Sequence, residues 1–314
     1  MKKRPVVSMD LGGTNIRLGL VDARGTVLRR RRVPMFSAGS KHTLLRALGD
    51  VIASFIEANS DLPSPGGVCI GFAGPTKASE GCVYFAPNIS RMSDIEVGSY
   101  LEGRLEMRVM VENDANCAAL GEYWHGAGKG ASSLFLFTLG TGVGGSLVID
   151  GKLWQGYDGI AGEIGHTVID IKGPKCACGQ RGCLETLVSA TAMIKDYGKR
   201  KRIKTRPRDI TAKMIADKAK QGDRTAMAVM RGASEALGVG IANVFHLYNP
   251  ELILVGGGVS RAGSILLAPA VSRAREAIFP QLRSRLKVRR TRLGDDSALV
   301  GAAYLAHQSP WGQS

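Results

Sequence analysis

Three cysteines crowd into Cys176-Ala-Cys178-Gly-Gln-Arg-Gly-Cys183, and His166 lies ten residues before the first of them. Three thiolates and one imidazole make the closed tetrahedral set of a structural zinc site, with no position left for water. A lone His is ordinarily a satisfied core residue, but the neighbouring cluster favours ligation. Clustering of this kind also favours a metal over disulfides in a chain without a secretory signal. The expected zinc ligands are therefore His166, Cys176, Cys178 and Cys183. Glu163 precedes His166 by three residues and Glu185 follows Cys183 by two, so a metal would tie both carboxylates into one rigid segment. The scattered Cys69, Cys82 and Cys117 read as buried small hydrophobes.

A phosphate chain needs closely spaced backbone N–H donors with no side chain in the way, which glycine at a tight turn provides. Gly12-Gly13-Thr14-Asn15 and Gly140-Thr141-Gly142-Val143-Gly144-Gly145 both fit. Neither closes in the Gly-Lys-Ser/Thr of a P-loop, and neither opens a helix as a dinucleotide fingerprint does. Gly256-Gly257-Gly258 ends an apolar strand, where bare backbone would let a flat base or ribose approach. Taken singly, each cluster is weak, because glycine turns are common punctuation. Asp114, in Val111-Glu-Asn-Asp-Ala-Asn116, follows a strand and precedes a helix; on spacing alone a helix N-cap is the better reading. Asn88, in Phe85-Ala-Pro-Asn88, reads equally well as a turn residue after Pro.

An internal echo shows what must position these residues. Asp10–Asp22 and Thr138–Asp150 have equal length and the same plan of apolar run, Gly/Thr turn, apolar run and closing Asp. Two hairpin units 128 residues apart predict a duplicated domain with a cleft between the copies. Between them the patterns alternate: helix over Leu44–Ala58, strands over Gly67–Phe72 and Arg108–Glu112, and helix over Ala115–His125. Helices over Thr186–Tyr197 and Ala226–Leu247 follow, then a strand over Leu252–Val255. Asp295-Asp296-Ser297 offers an N-cap for a last helix through Ala306. Such alternation predicts an α/β architecture.

The chain has 314 residues, 44% of them hydrophobic, and suits two lobes rather than one core. Glycine supplies 41 of the 314, about 13% against roughly 7% in average usage. With no Gly-X-Y period, collagen is excluded and the excess belongs in turns. Gly130–Ile149 runs 20 residues without a charge, but ten of them are Gly, Ser or Thr, which reads as strand, turn and strand rather than a bilayer helix. The basic start is cut short by Pro5 and Asp10, so no signal peptide is expected and the location reads as cytoplasmic.

Taken together and in order, these segments resemble the sugar kinases of the ROK family (repressors, open reading frames and kinases). The resemblance runs from Asp10 to Ala303. It rests on Asp10-Leu-Gly-Gly-Thr14, Glu112-Asn-Asp-Ala-Asn116, Leu139-Gly-Thr-Gly142, Gly162-Glu-Ile-Gly-His166, Cys176-Ala-Cys-Gly-Gln-Arg-Gly-Cys183 and Leu254-Val-Gly-Gly-Gly258. Within the family, the sequence is most similar to bacterial glucokinases. The resemblance implies a duplicated actin-like and hexokinase-like ATPase fold with two lobes around a cleft: residues 1–115 with 296–314, and 116–295 with the zinc loop. It implies that Asp10 helps hold the Mg²⁺ of MgATP, that Gly12, Gly13, Thr14, Asn15, Thr141 and Gly142 line the phosphates, and that Gly257 and Gly258 line the adenosine. A carboxylate beside phosphate-binding turns is where a hard cation should sit.

The resemblance also makes Asp114 the general base that orients a sugar hydroxyl and takes its proton. Asn113 beside it suits two sugar hydroxyls, since an amide donates and accepts. Asn88, Glu163, His166 and Glu185 complete the implied sugar contacts, with His166 ligating zinc through one nitrogen and meeting a hydroxyl through the other. Glucose, fructose, mannose, allose, N-acetylmannosamine and N-acetylglucosamine are the candidate acceptors, and the motifs do not read out the sugar's 2-position. Dimers are usual in the family.

Two rival classes compete with an enzyme. The +15 net charge and the runs Arg29–Arg32 and Lys199–Lys204 invite a nucleic-acid reading. The runs lack interleaved aromatics and a recognition module, and only nine residues precede Asp10, too few for the DNA-binding module expected of a family repressor. Solvated basic surface is the expectation, which leaves a sugar-sensing regulator as the lesser alternative. An ATP-driven protein like actin shares the implied fold but not the zinc loop.

Overall fold

Both copies of the echo fold as β-hairpins in the computed structural model, which describes residues 3–86, 92–203 and 210–309. The first copy contributes β1 (Val6–Leu11) and β2 (Asn15–Val21), followed by β3 (Val27–Pro34), helix α1 (Lys41–Glu57) and β4 (Val68–Phe72). A small sheet of β5 (Thr76–Lys77), β6 (Cys82–Ala86) and β7 (Met92–Glu96) leads into α2 (Val97–Leu105), β8 (Val109–Asn113) and α3 (Asp114–His125). The second copy gives β9 (Ser133–Leu139) and β10 (Val143–Ile149), then β11 (Lys152–Leu153). Helices α4 (Glu185–Val188), α5 (Ala190–Arg200), α6 (Ala212–Lys220) and α7 (Arg224–Tyr248) come next. The chain closes with β12 (Leu252–Gly256), α8 (Ser264–Ala277), β13 (Val288–Arg290) and α9 (Ser297–Gln308).

The first sheet has the order β3-β2-β1-β4-β8 and the second β11-β10-β9-β12-β13. β1 pairs antiparallel with β2 and parallel with β4, which pairs parallel with β8. β12 is likewise parallel to both β9 and β13. The same plan therefore occurs twice, as the echo predicts. Strands buried on both faces explain the apolar runs, since β1, β4 and β12 expose no residue.

The described residues up to Gly130, those of Ser146–Ala161 and those from Arg292 onward form one compact unit; Ala131–Gly145 and Gly162–Thr291 form the other. These bounds differ from breaks at 115/116 and 295/296, because α3 and the residues after it stay with the first unit. The reason is its contact with α9. A Cβ on Gly121 would run into the Ser297 carbonyl, and one on Gly301 into the Cys117 carbonyl, so the two helices meet backbone to backbone. Ala298, Ala302, Ala303 and Ala306 continue that close face against Val6, Cys69 and Cys117. Glu122 is fully buried and locks the crossing: it accepts from the N–H groups of Ala127 (2.8 Å), Arg292 (2.9 Å) and Leu293 (2.9 Å) and from Ser297 Oγ (2.7 Å). Gly301→Ala is expected to cost about 1–3 kcal/mol or more by overpacking. A urea midpoint equal to that of the unaltered protein would contradict this contact.

Several local expectations change. The helix expected over Thr186–Tyr197 is two, because Ser189 is extended and caps α5, its Oγ accepting from Ala192 N–H at 3.1 Å. Asp296 stands at the N-cap of α9, but its side chain makes no capping hydrogen bond; the Asp295 and Asp296 carboxylates pair instead with Arg17 (3.2 Å) and Arg30 (2.7 Å). The four-arginine run lies on β3, an edge strand, where charged side chains discourage pairing with another chain. Each arginine has an internal partner: Arg29 with Asp61, Arg30 with Asp296, Arg31 with Ser54 and Arg32 with Asn15. In the second run, Arg200 pairs with Asp196 and Lys201 with Asp223, while residues 204–209 lie outside the described ones. Cys69 and Cys117 are buried and Cys82 is half-buried, all as free thiols.

Candidate active site

In the first unit, β1, β4 and β8 run parallel and end together, which is where α/β sheets present ligand-binding groups. Cross-strand register sets Asp10 opposite Gly71 and Gly71 opposite Glu112, two strand spacings of about 4.8 Å each. Asp10 is buried and shares its Oδ2 with Arg17 Nε at 2.9 Å and Nη2 at 2.7 Å. Burial pushes its carboxyl up from the usual range, Arg17 pulls it back, and Asp295 adds to the rise. The turn after β1 is closed by Gly12 N–H donating to Asn15 carbonyl at 3.1 Å. Among the described residues, nothing accepts from the N–H groups of Gly13 and Thr14, so two adjacent donors remain for an anion. Arg32 Nε donates to Asn15 Oδ1 at 3.1 Å and braces the turn from β3.

Asn113, not Asp114, is the N-cap of α3. Its Oδ1 accepts from Ala115 N–H (2.9 Å) and Asn116 N–H (3.2 Å), and its Nδ2 donates to Gly74 carbonyl (3.0 Å). The Asn113 oxygen is thus already engaged, and one N–H of the amide has no acceptor among the described residues. Asp114 stands as the first helical residue, its Oδ1 accepting from Ala115 N–H at 2.8 Å. The side chain that fixes this corner is Glu112, a residue to which no expected role attaches in the sequence. Its Oε1 accepts from Asn113 N–H (2.8 Å) and Asn116 Nδ2 (2.9 Å), and its Oε2 from Gln155 Nε2 (2.7 Å). Burial pushes the Glu112 carboxyl up and those three donors oppose the rise. The i,i+4 spacing of Glu112 and Asn116 is the local signal that could have shown it.

In the second unit, the turn after β9 is closed by Gly140 N–H donating to Gly142 carbonyl at 2.9 Å. Here too no described group accepts from the N–H of Thr141 or Gly142. Gly256 is opposite Thr138 across the parallel β9–β12 pair, so Gly257 and Gly258 emerge beside this turn. Gly257 has φ +82°, and a Cβ there would strike the Leu139 backbone; a Cβ on Gly258 would meet nothing within 4 Å.

The four expected zinc ligands do converge. One ligand atom from each of His166, Cys176, Cys178 and Cys183 lies within 4.8 Å of all the others. Cys178 Sγ is 3.6 Å from Cys183 Sγ, and Cys176 Sγ is 3.7 Å from His166 Nδ1. Tetrahedral zinc with Zn–S of about 2.3 Å and Zn–N of about 2.0 Å requires separations of about 3.5–3.8 Å, and both of these distances fall in that range. The Gln180 N–H holds the Cys178 thiol down to about 7, whereas burial pushes Cys183 up to about 12, a set that a divalent cation would complete by displacing protons. With Nδ1 facing the thiols, the other nitrogen of His166 is left for a second partner. Burial raises the Glu163 carboxyl, His166 lowers it and Glu185 raises it, which sets these three groups as electrostatic neighbours. Asn88 lies outside the described residues.

The family model described as "ROK family" matches residues 6–309. A glucokinase of Thermotoga maritima is 35% identical over 312 residues, covering 96% of this chain and 97% of that protein. A xylose repressor of Caldicellulosiruptor bescii is 30% identical, covering 94% of this chain and 76% of that protein. Among solved structures, a ROK family glucokinase from Streptomyces griseus in complex with glucose and AMPPNP superposes with a TM-score of 0.84 at 33% identity, covering 97% of this chain and 100% of that one. No helix among the described residues is long and apolar enough to cross a membrane.

Proposed function

The chain belongs to the ROK family, and on that premise we propose that it is an ATP-dependent hexose kinase whose favoured acceptor is glucose. The carrying observation is one sheet edge that presents both Asp114 and a turn whose Gly13 and Thr14 N–H groups have no acceptor among the described residues. The likeness to a glucokinase whose structure holds glucose and AMPPNP supports the choice of substrates.

In this reading the 6-hydroxyl of glucose is held against Asp114. Its oxygen attacks the γ-phosphorus of ATP, the bond from that phosphorus to the β–γ bridging oxygen breaks, and ADP leaves. The hydroxyl proton passes to Asp114, and the products are glucose 6-phosphate and ADP. Gly12, Gly13, Thr14, Asn15, Thr141 and Gly142 receive the phosphates, and Gly257 and Gly258 the adenosine. Asn113, Glu163, His166 and Glu185 orient the sugar, with Asn88 assigned the same task. Asp10 would hold magnesium, because no described group donates to its Oδ1 and an oxygen donor beside a phosphate turn suits that ion. Bound there, the metal would neutralise charge on the phosphate oxygens. His166, Cys176, Cys178 and Cys183 would hold zinc, which supplies rigidity rather than chemistry.

The same proposal takes the two compact units as the enzyme's two lobes. It places the enzyme in the cytoplasm as a homodimer or higher homo-oligomer, without nucleic-acid or membrane partners. Coupled ADP-release assays over glucose, fructose, mannose, allose, N-acetylmannosamine and N-acetylglucosamine test it. Glucose is expected to give the highest kcat/KM. Sugar binding without turnover on any of them would favour a sensor, the class to which the xylose repressor relatives belong.

A further inference from the structure

Glu185 is assigned above to the sugar, yet one of its oxygens is committed elsewhere. Oε2 accepts from the N–H of Val143 at 3.0 Å, at the end of the Gly140–Val143 turn. A Cβ on Gly142 would collide with that same oxygen, so the absent side chain is what lets the carboxylate reach the backbone. The residues after Glu185 hold the turn as well. Ala190 N–H donates to Gly140 carbonyl at 2.9 Å, and Thr191 Oγ1 donates to Thr141 carbonyl at 2.9 Å. From the opposite arm of the Cys/His segment, Gly165 packs so closely on Val143 that a Cβ would strike its carbonyl. Three of the four turn residues are thus tethered to 185–191, while no group among the described residues accepts from the N–H of Thr141 or Gly142.

An anionic side chain beside a phosphate-binding turn carries a repulsive cost, which makes its hydrogen bond to the turn the feature that needs explaining. We propose that Glu185 is a positioning residue for the nucleotide: its Oε2 holds Val143 N–H and so keeps the Thr141 and Gly142 N–H groups aimed at the phosphates, independently of any contact with sugar. This rests on the kinase reading, in which that turn receives the phosphates. A glutamine at 185 can still accept from Val143 through its amide oxygen and removes the repulsion; an alanine cannot accept at all. A charge-assisted hydrogen bond of this kind corresponds to about tenfold in affinity.

The test is calorimetric binding of magnesium-AMPPNP in the absence of sugar, with zinc content per chain as the control for an intact loop. Glu185→Ala is expected to weaken binding about tenfold at unchanged zinc content, while Glu185→Gln binds as tightly as the unaltered protein or more tightly. Thr191→Val, which removes a second tether, is expected to weaken binding several-fold and stands in should Glu185→Ala fail to fold. If Glu185 served only the sugar, Glu185→Ala would bind the nucleotide unchanged, and that result overturns the proposal. So does equal weakening by the glutamine and alanine variants. Failure of the unaltered protein to bind AMPPNP would overturn the kinase reading itself, and this proposal with it.

Discussion

Asp114→Asn is expected to lose about 10²–10⁴-fold of kcat, or about 2.7–5.5 kcal/mol of transition-state stabilisation, while glucose and MgATP still bind. The substitution isolates the proton. Asparagine has the size of aspartate and keeps an oxygen for the Ala115 N–H that Asp114 Oδ1 now accepts at 2.8 Å. The cap of α3 is provided by Asn113, and Glu112 holds the corner from behind, so neither depends on residue 114. What is lost is a group able to take the hydroxyl proton as the phosphoryl group arrives. Steady-state kinetics paired with calorimetric sugar binding separate the two effects. Turnover near that of the unaltered enzyme would remove Asp114 from the base role.

Cys183→Ser, or removal of metal with a strong chelator, is expected to raise the glucose KM at least tenfold or abolish sugar binding. Cys183 is buried, 3.6 Å from Cys178 Sγ, in a segment held by local backbone hydrogen bonds such as Gly182 N–H to Pro174 carbonyl and Leu184 N–H to Thr167 carbonyl. Its scaffold is a set of turns and isolated bridges, Val168 with Cys183 and Lys175 with Arg181, rather than a sheet or a long helix. Structural zinc contributes about 10–16 kcal/mol in small zinc-folded peptides, far more than such turns supply. Both Glu163 and Glu185 hang on this segment, so loosening it should disperse the sugar contacts before it unfolds the parallel strands β9 and β12. One zinc per chain by elemental analysis, lost together with glucose affinity, is the expected pairing. A metal-free protein with unaltered glucose KM would contradict it.

Legibility in the sequence followed the range of the interaction. The zinc set was readable because its ligands lie within one short segment whose residue types have few other uses together. The glycine turns were readable because bare backbone donors and hairpin geometry are both local properties, and the echo between Asp10–Asp22 and Thr138–Asp150 predicted the repeated sheet plan. Contacts made at long range were not readable. Nothing near Asp10 announces that Asp295 shares its electrostatics, and Glu122 meets Arg292, Leu293 and Ser297 only after the chain has traversed the second unit. Asp295 and Asp296 looked like caps because local sequence cannot show arginines arriving from β2 and β3. At the start of α3 the spacing favoured Asp114 as the cap, and the fold took its neighbour Asn113 instead, with Asp114 as the first helical residue.

Product identification by phosphorus NMR, after incubating the purified protein with glucose and MgATP, decides whether this chain phosphorylates glucose. ADP and glucose 6-phosphate are expected in equal amounts, with no phosphate on another hydroxyl. Glucose bound but left unphosphorylated, with ATP intact, would contradict it.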